Sequence, residues 1–345
     1  MGAEHSGQPS LRDANLSAMD GADVDVLVVG GGINGAVSAA ALADRGLSVA
    51  LAERGDFAGM TSQESSNLVW GGFKYLENYE LPLVWKLCRS RNQLMRAYPT
   101  GITEIGFLAT LDRSAPFPSW LAALGSAAYW AIGGFATRRP SYLRPATIER
   151  CEPVVDTSGA SGGIEYADAY LNDNDSRFTW SFVRSAIDQG VLVANYLSVD
   201  RLQRSNSGWT VEANDVAGGR SITLTARAVV NAGGPLVDGV NEHMAVTTEH
   251  RIVYSKGIHL VVPRLTDSER VLAFFDDTQR LFYVIPMAHR SVIGTTDTRT
   301  TEHDEGVTDE DRTFLLEQIN ARLDLEHPLT TVDIIAERCG VRPLV

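Results

Sequence analysis

The residues that could do chemistry begin with three glycines and an acid. Gly30, Gly32 and Gly35 give G-x-G-x-x-G, and Glu53 follows 21 residues past Gly32. Glycines at this spacing let the backbone turn tightly and approach a pyrophosphate. The following helix N-terminus stabilises the phosphate charge, and the acid accepts hydrogen bonds from a ribose. Thr61, Ser62, Ser65 and Ser66 lie in a loop of small hydroxyl residues, suited to a cofactor's phosphates and ribityl chain or, alternatively, to solvent. Gly71 and Gly72 allow close backbone approach, with Lys74 and Tyr75 as polar tips beyond them. Ala232 and Gly233 stand in a second apolar run that ends in a glycine turn, and Arg342 stands in Gly-Val-Arg-Pro-Leu near the end of the chain. Cys88, Cys151 and Cys339 are odd in number and widely spaced, so neither a disulfide framework nor a metal site is expected.

These residues need elements to position them. Residues 24–29 form a short β-branched run read as a buried strand, 36–45 carry a helical pattern, and 47–51 read as a second strand ending at Glu53. That is the strand–turn–helix context the glycine motif requires. Residues 81–95 and 309–323 read as helices, and 177–189 as a helix capped by the polar cluster before it. Residues 140–153 read as a connector. Strands at 197–204, 209–214 and 221–226 form a β-meander, followed by a strand from Ala228 into the Ala-Gly-Gly turn. A crossover meander with that ending is expected of an FAD-binding domain, whereas a plain NAD dehydrogenase would continue with βα units. Strands at 258–262, 271–275, 281–285 and 291–294 would build an antiparallel sheet as a substrate platform.

The chain has 345 residues, enough for two cores. Its net charge of −13 opposes a nucleic-acid partner, whose phosphates it would repel, but not a small anionic substrate met by a few local cations. Residues 1–22 are polar and read as a disordered tail. Residues 114–137 carry no charge over 24 positions and read as a buried or lid helix, as a helix on a membrane surface, or as a span. The setting reads as reduced and cytoplasmic, with peripheral contact at the inner membrane face as the alternative.

Taken in order, Gly-Gly-Gly-Ile-Asn-Gly35, Thr61-Ser62…Ser65-Ser66, Gly71-Gly-x-Lys-Tyr-Leu-Glu77, Glu165-Tyr-x-Asp168, Asn231-Ala-Gly-Gly-Pro235, Lys256-Gly-x-His259, Ile293-Gly-Thr-Thr-Asp297 and Gly340-Val-Arg-Pro-Leu344 resemble the FAD-dependent glycerol-3-phosphate dehydrogenases of the D-amino-acid-oxidase-like superfamily. The resemblance implies an α/β fold: a Rossmann-like FAD-binding domain with a β-meander, at 23–110 and 165–240, and an antiparallel-sheet substrate domain at 111–164 and 241–335. Residues 336–345 would begin a return to the FAD domain. It implies oxidation of glycerol 3-phosphate by hydride transfer to FAD, with electrons passed to a quinone or another acceptor. Lys74, Tyr75, Arg251 and Arg342 would meet the substrate; His259, Arg342 and Lys74 would serve catalysis. Arg342 suits a phosphate because its planar fork binds two oxygens at once. Taken alone it could equally be a surface arginine.

Two positions depart from the pattern. Trp70 stands where relatives often carry His and cannot accept a proton, which leaves His259 as the base because histidine titrates near working pH. A buried, hydrogen-bonded His259 is the other reading. Lys74 stands where relatives often carry Arg and keeps the charge without the fork. Relatives also continue into a Gly-Gly-Lys strand and a helical domain, so the chain is expected to be a truncated form. The alternatives are a flavoenzyme for an amino acid or 2-hydroxy acid, and a non-catalytic cofactor-binding fragment.

Overall fold

The computed structural model of the protein describes residues 9–112, 115–276, 278–301 and 306–344. Ser10 accepts the Asp13 N–H and caps α1 (Leu11–Met19). Residues 9–22 therefore depart from the expected disordered tail; residues 1–8 lie outside the described part. Leu16 and Met19, three apart, form a narrow apolar stripe that is 2% and 1% exposed. That stripe packs on the sheet below, and Arg12 pairs with Asp215 at 2.5 Å. Two apolar side chains suffice to dock such a helix but hardly change the composition, which is why the segment reads as a tail.

The glycine motif lies in the unit β1 (Asp23–Val29), α2 (Ile33–Ala43) and β2 (Val49–Ala52). A second group follows in sequence: β3 (Leu68–Val69), α3 (Leu81–Ala97), β4 (Ile102–Leu111), α4 (Ser119–Ile132), β5 (Ser141–Leu143), α5 (Pro145–Cys151) and β6 (Gly162–Leu171). The chain then returns through α6 (Asp175–Asp188), β7 (Leu192–Ala194), β8 (Leu197–Ser205), β9 (Gly208–Asp215), β10 (Ser221–Asn231) and α7 (Val237–His243). It finishes with β11 (Val253–Pro263), β12 (Val271–Phe275), β13 (Leu281–Met287), β14 (Arg290–Gly294), β15 (Thr298–Thr300), α8 (Asp309–Asn320) and β16 (Ala336–Leu344).

The first sheet runs β7-β2-β1-β10-β9-β8. Its first four strands are parallel, and the meander adds β9 and β8 antiparallel. The third meander strand and the strand expected separately at Ala228 are one: β10 pairs antiparallel with β9 at Ser221–Ala226 and parallel with β1 as far as Asn231. The small side chains of α2 (Ala36, Ala39, Ala40) pack with α6 on one face, and α1 with the meander on the other.

The second sheet runs β15-β11-β14-β13-β12-β4-β6-β3, with β16 on β11 and β5 on β6. It is antiparallel except where β12 joins β4 in parallel. β3, β4 and β6 thus belong to it, although 23–110 and 165–171 were expected in the cofactor domain. The ten-residue pairing of β4 with β6 joins them there. The expected connector at 140–153 holds β5 and α5. One face carries Leu108, Ile258, Leu260, Phe274 and Ile293 under α5 and α8. The other carries Phe107, Ile164, Tyr166, Val271 and Val292 under α3 and α4. Of the segment at 114–137, Ser114 lies outside the described residues and 119–132 forms α4; among the described residues no helix is long and apolar enough to cross a membrane.

Candidate functional site

The glycine turn is built to exclude side chains. Gly30 has φ +106°, and a Cβ there would lie 2.4 Å from the Ala232 carbonyl oxygen. A Cβ on Gly35 would lie 1.8 Å from the Gly30 carbonyl oxygen, so β1, β10 and α2 meet at van der Waals distance only because these residues are glycine. Gly32 caps α2 without a side chain of its own. Ser62 Oγ accepts the Ile33 N–H there at 3.0 Å, which places a loop hydroxyl at the helix N-terminus where an anion is favoured. Glu53, at the end of β2, accepts N–H groups from Gly31 at 2.6 Å and Gly55 at 2.7 Å. Ala232 and Gly233 follow β10, with the Ala232 N–H donated to Val29 and the Gly233 N–H to Asn231. A cradle with no room for Cβ atoms, a helix N-terminus and an acid at the second strand fit a dinucleotide such as FAD.

The hydroxyl loop is anchored from the second sheet. Thr61 Oγ1 donates to the Val341 carbonyl on β16 at 2.7 Å. The Ser65 N–H goes to Asp175 at the head of α6, while Ser65 Oγ accepts the Asn67 N–H. Ser66 is half-buried in the same loop. Arg338 on β16 reaches the Gln63 carbonyl, pairs with Asp175 at 3.3 Å and lies 3.5 Å from Glu64. Gly340, between Arg338 and Arg342, lacks the Cβ that would sit 2.8 Å from Glu64.

On β11 and β16, directly paired residues share a face. Ser255 is opposite Arg342, Gly257 opposite Gly340, and His259 opposite Arg338. The Arg342 head lies over Gly257, where a Cβ would be 2.3 Å from Nη2. It donates to Thr295 Oγ1 at 2.8 Å, the Thr296 carbonyl at 3.1 Å, Ser255 Oγ at 3.2 Å and Asp297 at 3.4 Å. His259 is 5% exposed, and neither ring nitrogen has a hydrogen-bond partner among the described residues. Burial, with the charges of Arg338 and Arg342, lowers it to about 3. The expectation that it titrates near neutrality is thereby corrected: it stays uncharged. His259, Gly294 and Tyr283 stand in register, and Tyr283 lies on the face that carries Phe107 and Tyr166.

The Gly71–Gly72 turn lies toward the other end of that face. The Gly71 N–H is held by Asp168 at 3.1 Å, Gly72 has φ +86°, and residues 73–76 form a short 3-10 turn. Tyr75 is half-buried with its ring 6.0 Å from that of Trp70. Lys74 is exposed beside Glu77, where its charge counters the burial that raises Glu77. Arg251 is not brought to this face; it pairs with Glu242 at 3.1 Å and is 73% exposed, since it lies in the loop before β11.

Several residues at the site were not singled out from sequence. Arg338 could have been: with Gly340 and Arg342 it alternates along one strand face, the period of two that a strand imposes. Arg91 follows Val84 and Cys88 at helical spacing on the buried stripe of α3, which marks it as inward-facing. Tyr129 and Asp175 gave no such signal, because their partners are distant in sequence. No group of His, Cys, Asp and Glu among the described residues could hold a metal.

A parallel nucleotide-type sheet with a crossover meander, set against a large mixed sheet in which a buried, uncharged histidine shares one face with two arginines of the neighbouring strand, is the architecture of a flavoprotein oxidoreductase. The chain belongs to the FAD dependent oxidoreductase family, whose profile matches residues 25–345, and FAD is its cofactor. It is similar to the aerobic glycerol-3-phosphate dehydrogenase of Bacillus subtilis (strain 168), 31% identical over 341 residues, 97% of this chain and 60% of that protein. It is also 32% identical over 330 residues to the D-erythritol 1-phosphate dehydrogenase of Brucella abortus (strain 2308), covering 93% of this chain and 63% of that protein. The structure of glycerol-3-phosphate dehydrogenase from Bacillus halodurans complexed with FAD matches with a TM-score of 0.77 at 26% identity, over 96% of this chain and 59% of that one. The chain thus spans about three fifths of the length of the curated relatives it matches.

Proposed function

We propose that this chain carries the FAD-binding and much of the substrate-binding machinery of a dehydrogenase that oxidises sn-glycerol 3-phosphate to dihydroxyacetone phosphate. The observation that carries the reading is Arg342, seated over Gly257 beside buried, uncharged His259. Arg342 offers a planar pair of donors matched to a phosphate, which would compete with Asp297 for the guanidinium. Gly30, Gly32, Gly35, Glu53, Thr61, Ser62, Ser65, Ser66, Ala232 and Gly233 would hold FAD. Bound FAD supplies the acceptor for the hydride leaving C2.

His259 receives the hydroxyl proton. Its basicity is suppressed first by burial and further by two guanidiniums, and a dianionic phosphate on Arg342 would offset the guanidinium part when substrate is present. Lys74 would add a compact charge where a fork is absent, and Tyr75 a hydroxyl. A quinone or another acceptor would then take the electrons. An apolar surface bears on that step: Trp120, Leu121 and Leu124 of α4 and Leu81 and Trp85 of α3 are exposed on two helices that pack together. Such a face suits peripheral contact with a membrane holding the quinone.

Similarity to the D-erythritol 1-phosphate dehydrogenase supports a second reading, a four-carbon polyol phosphate on the same arginine. A dye-reduction assay of FAD-loaded protein separates these. Turnover is expected with glycerol 3-phosphate and not with glycerol. Preference for erythritol 1-phosphate would move the substrate within the phosphate class. Turnover with glycine or lactate but no phosphate ester would overturn the proposal.

A further inference from the structure

Asp168 on β6 is fully buried and accepts from three elements at once. Arg91 Nη1 of α3 lies at 2.5 Å, the Tyr129 hydroxyl of α4 at 2.9 Å, and the Gly71 N–H at 3.1 Å. Arg91 is 2% exposed and turns its remaining donors to Asn92, whose amide donates in turn to the Gly133 carbonyl at the end of α4. The Cys88 thiol closes the group on the Gly71 carbonyl. Burial raises Asp168 to about 6 against the pull of Arg91. A buried ion pair is weak evidence for stability, because desolvating both charges offsets much of their attraction. Apolar packing among the same helices would serve stability as well. What the charged group adds is direction.

The direction is toward one turn. A Cβ on Gly71 would fall 2.1 Å from the Tyr129 hydroxyl and 2.8 Å from Arg91 Nη1, so the peptide is pressed against the group rather than near it. Phe73, two residues on, packs edge-on to Tyr129 at 5.2 Å and stacks on Tyr166 at 4.9 Å. We infer that Arg91, Asp168 and Tyr129 are positioning residues that fix the Gly71–Gly72 turn and with it the placement of Lys74 and Tyr75, which the proposed function assigns to the substrate. The inference deepens the proposed function and rests on it for the identity of that substrate.

The test is Tyr129→Phe, which removes one hydroxyl and keeps the ring. Amide exchange and steady-state kinetics are measured on FAD-loaded protein. Exchange at 68–76 is expected to rise about tenfold, the scale of one hydrogen bond to a charged group. Exchange at 24–52 and 258–262 stays as in the parent protein. KM for glycerol 3-phosphate rises about tenfold and kcat changes far less. Unchanged exchange at 68–76, or a rise spread equally over α3 and α4, would overturn the positioning role. If glycerol 3-phosphate is not turned over by the parent protein while exchange at 68–76 still responds, the positioning role stands and the substrate reading falls. Should Tyr129→Phe not fold, Arg91→Lys retains the charge, loses the fork, and reads out the same segment with the same expectations.

Discussion

In the proposed site Arg342 is held by acceptors on four residues, whereas His259 has no hydrogen-bond partner among the described residues. Arg342 already donates to four oxygens, so its head is fixed before a phosphate arrives. Truncating it should cost about 1.5–3 kcal/mol, or ~10–100-fold in kcat/KM for glycerol 3-phosphate. Arg342→Ala should keep its FAD, and Arg342→Lys should recover only part of the loss because the fork is missing. Equal kinetics in Arg342→Ala and parent protein would remove the residue from the site.

His259 makes a prediction of its own. Its folded value, about 3, lies below the ordinary 6.5, so between these values the unfolded chain binds the extra proton. The associated stability is fully present above about pH 6.5 and is lost on acidification, by up to about 1.4 kcal/mol per pH unit. Denaturant melts from pH 7 to pH 4.5 should show a steeper loss for the parent protein than for His259→Gln. Parallel curves would place His259 in a wetter, charged setting.

At the scale of elements, the glycine loop is where one atom decides the outcome. A methyl group on Gly35 meets the Gly30 carbonyl oxygen at 1.8 Å, so α2 must lift from β1. Gly35→Ala should therefore weaken FAD binding about tenfold or more, read by titration with the flavin. Gly125→Ala in α4, with open space around its Cβ position, should bind FAD as the parent does. Equal FAD affinity in the two variants would contradict the cradle. This loop was legible in the sequence because strand, turn and helix are contiguous and each follows local rules of period and glycine need. α1 was not legible, since two buried side chains carry its docking. Nor was the membership of β4 and β6, because the pairing that joins them spans distant residues and leaves no mark on either run alone.

Across the whole molecule, the site arises where two sheets meet. β16 carries Arg342, which would meet the substrate, and also Arg338 and the Val341 carbonyl, which grip the hydroxyl loop through Gln63 and Thr61. The strand, glycine turn and helix that would hold the cofactor were readable from motif and order. Of the residues proposed for the substrate, Arg342 and His259 fall together on one face, whereas Arg251 lies with Glu242 at the surface. Spacing could not reveal that Arg91, Tyr129 and Asp168 converge, since 38 and 39 residues separate successive members. The most direct test of the account is anaerobic mixing of purified, FAD-loaded protein with sn-glycerol 3-phosphate while the flavin absorption is followed. The account predicts bleaching of the oxidised flavin band, slowed strongly in Arg342→Ala. A flavin that stays oxidised with this substrate but is bleached by glycine or lactate would contradict it.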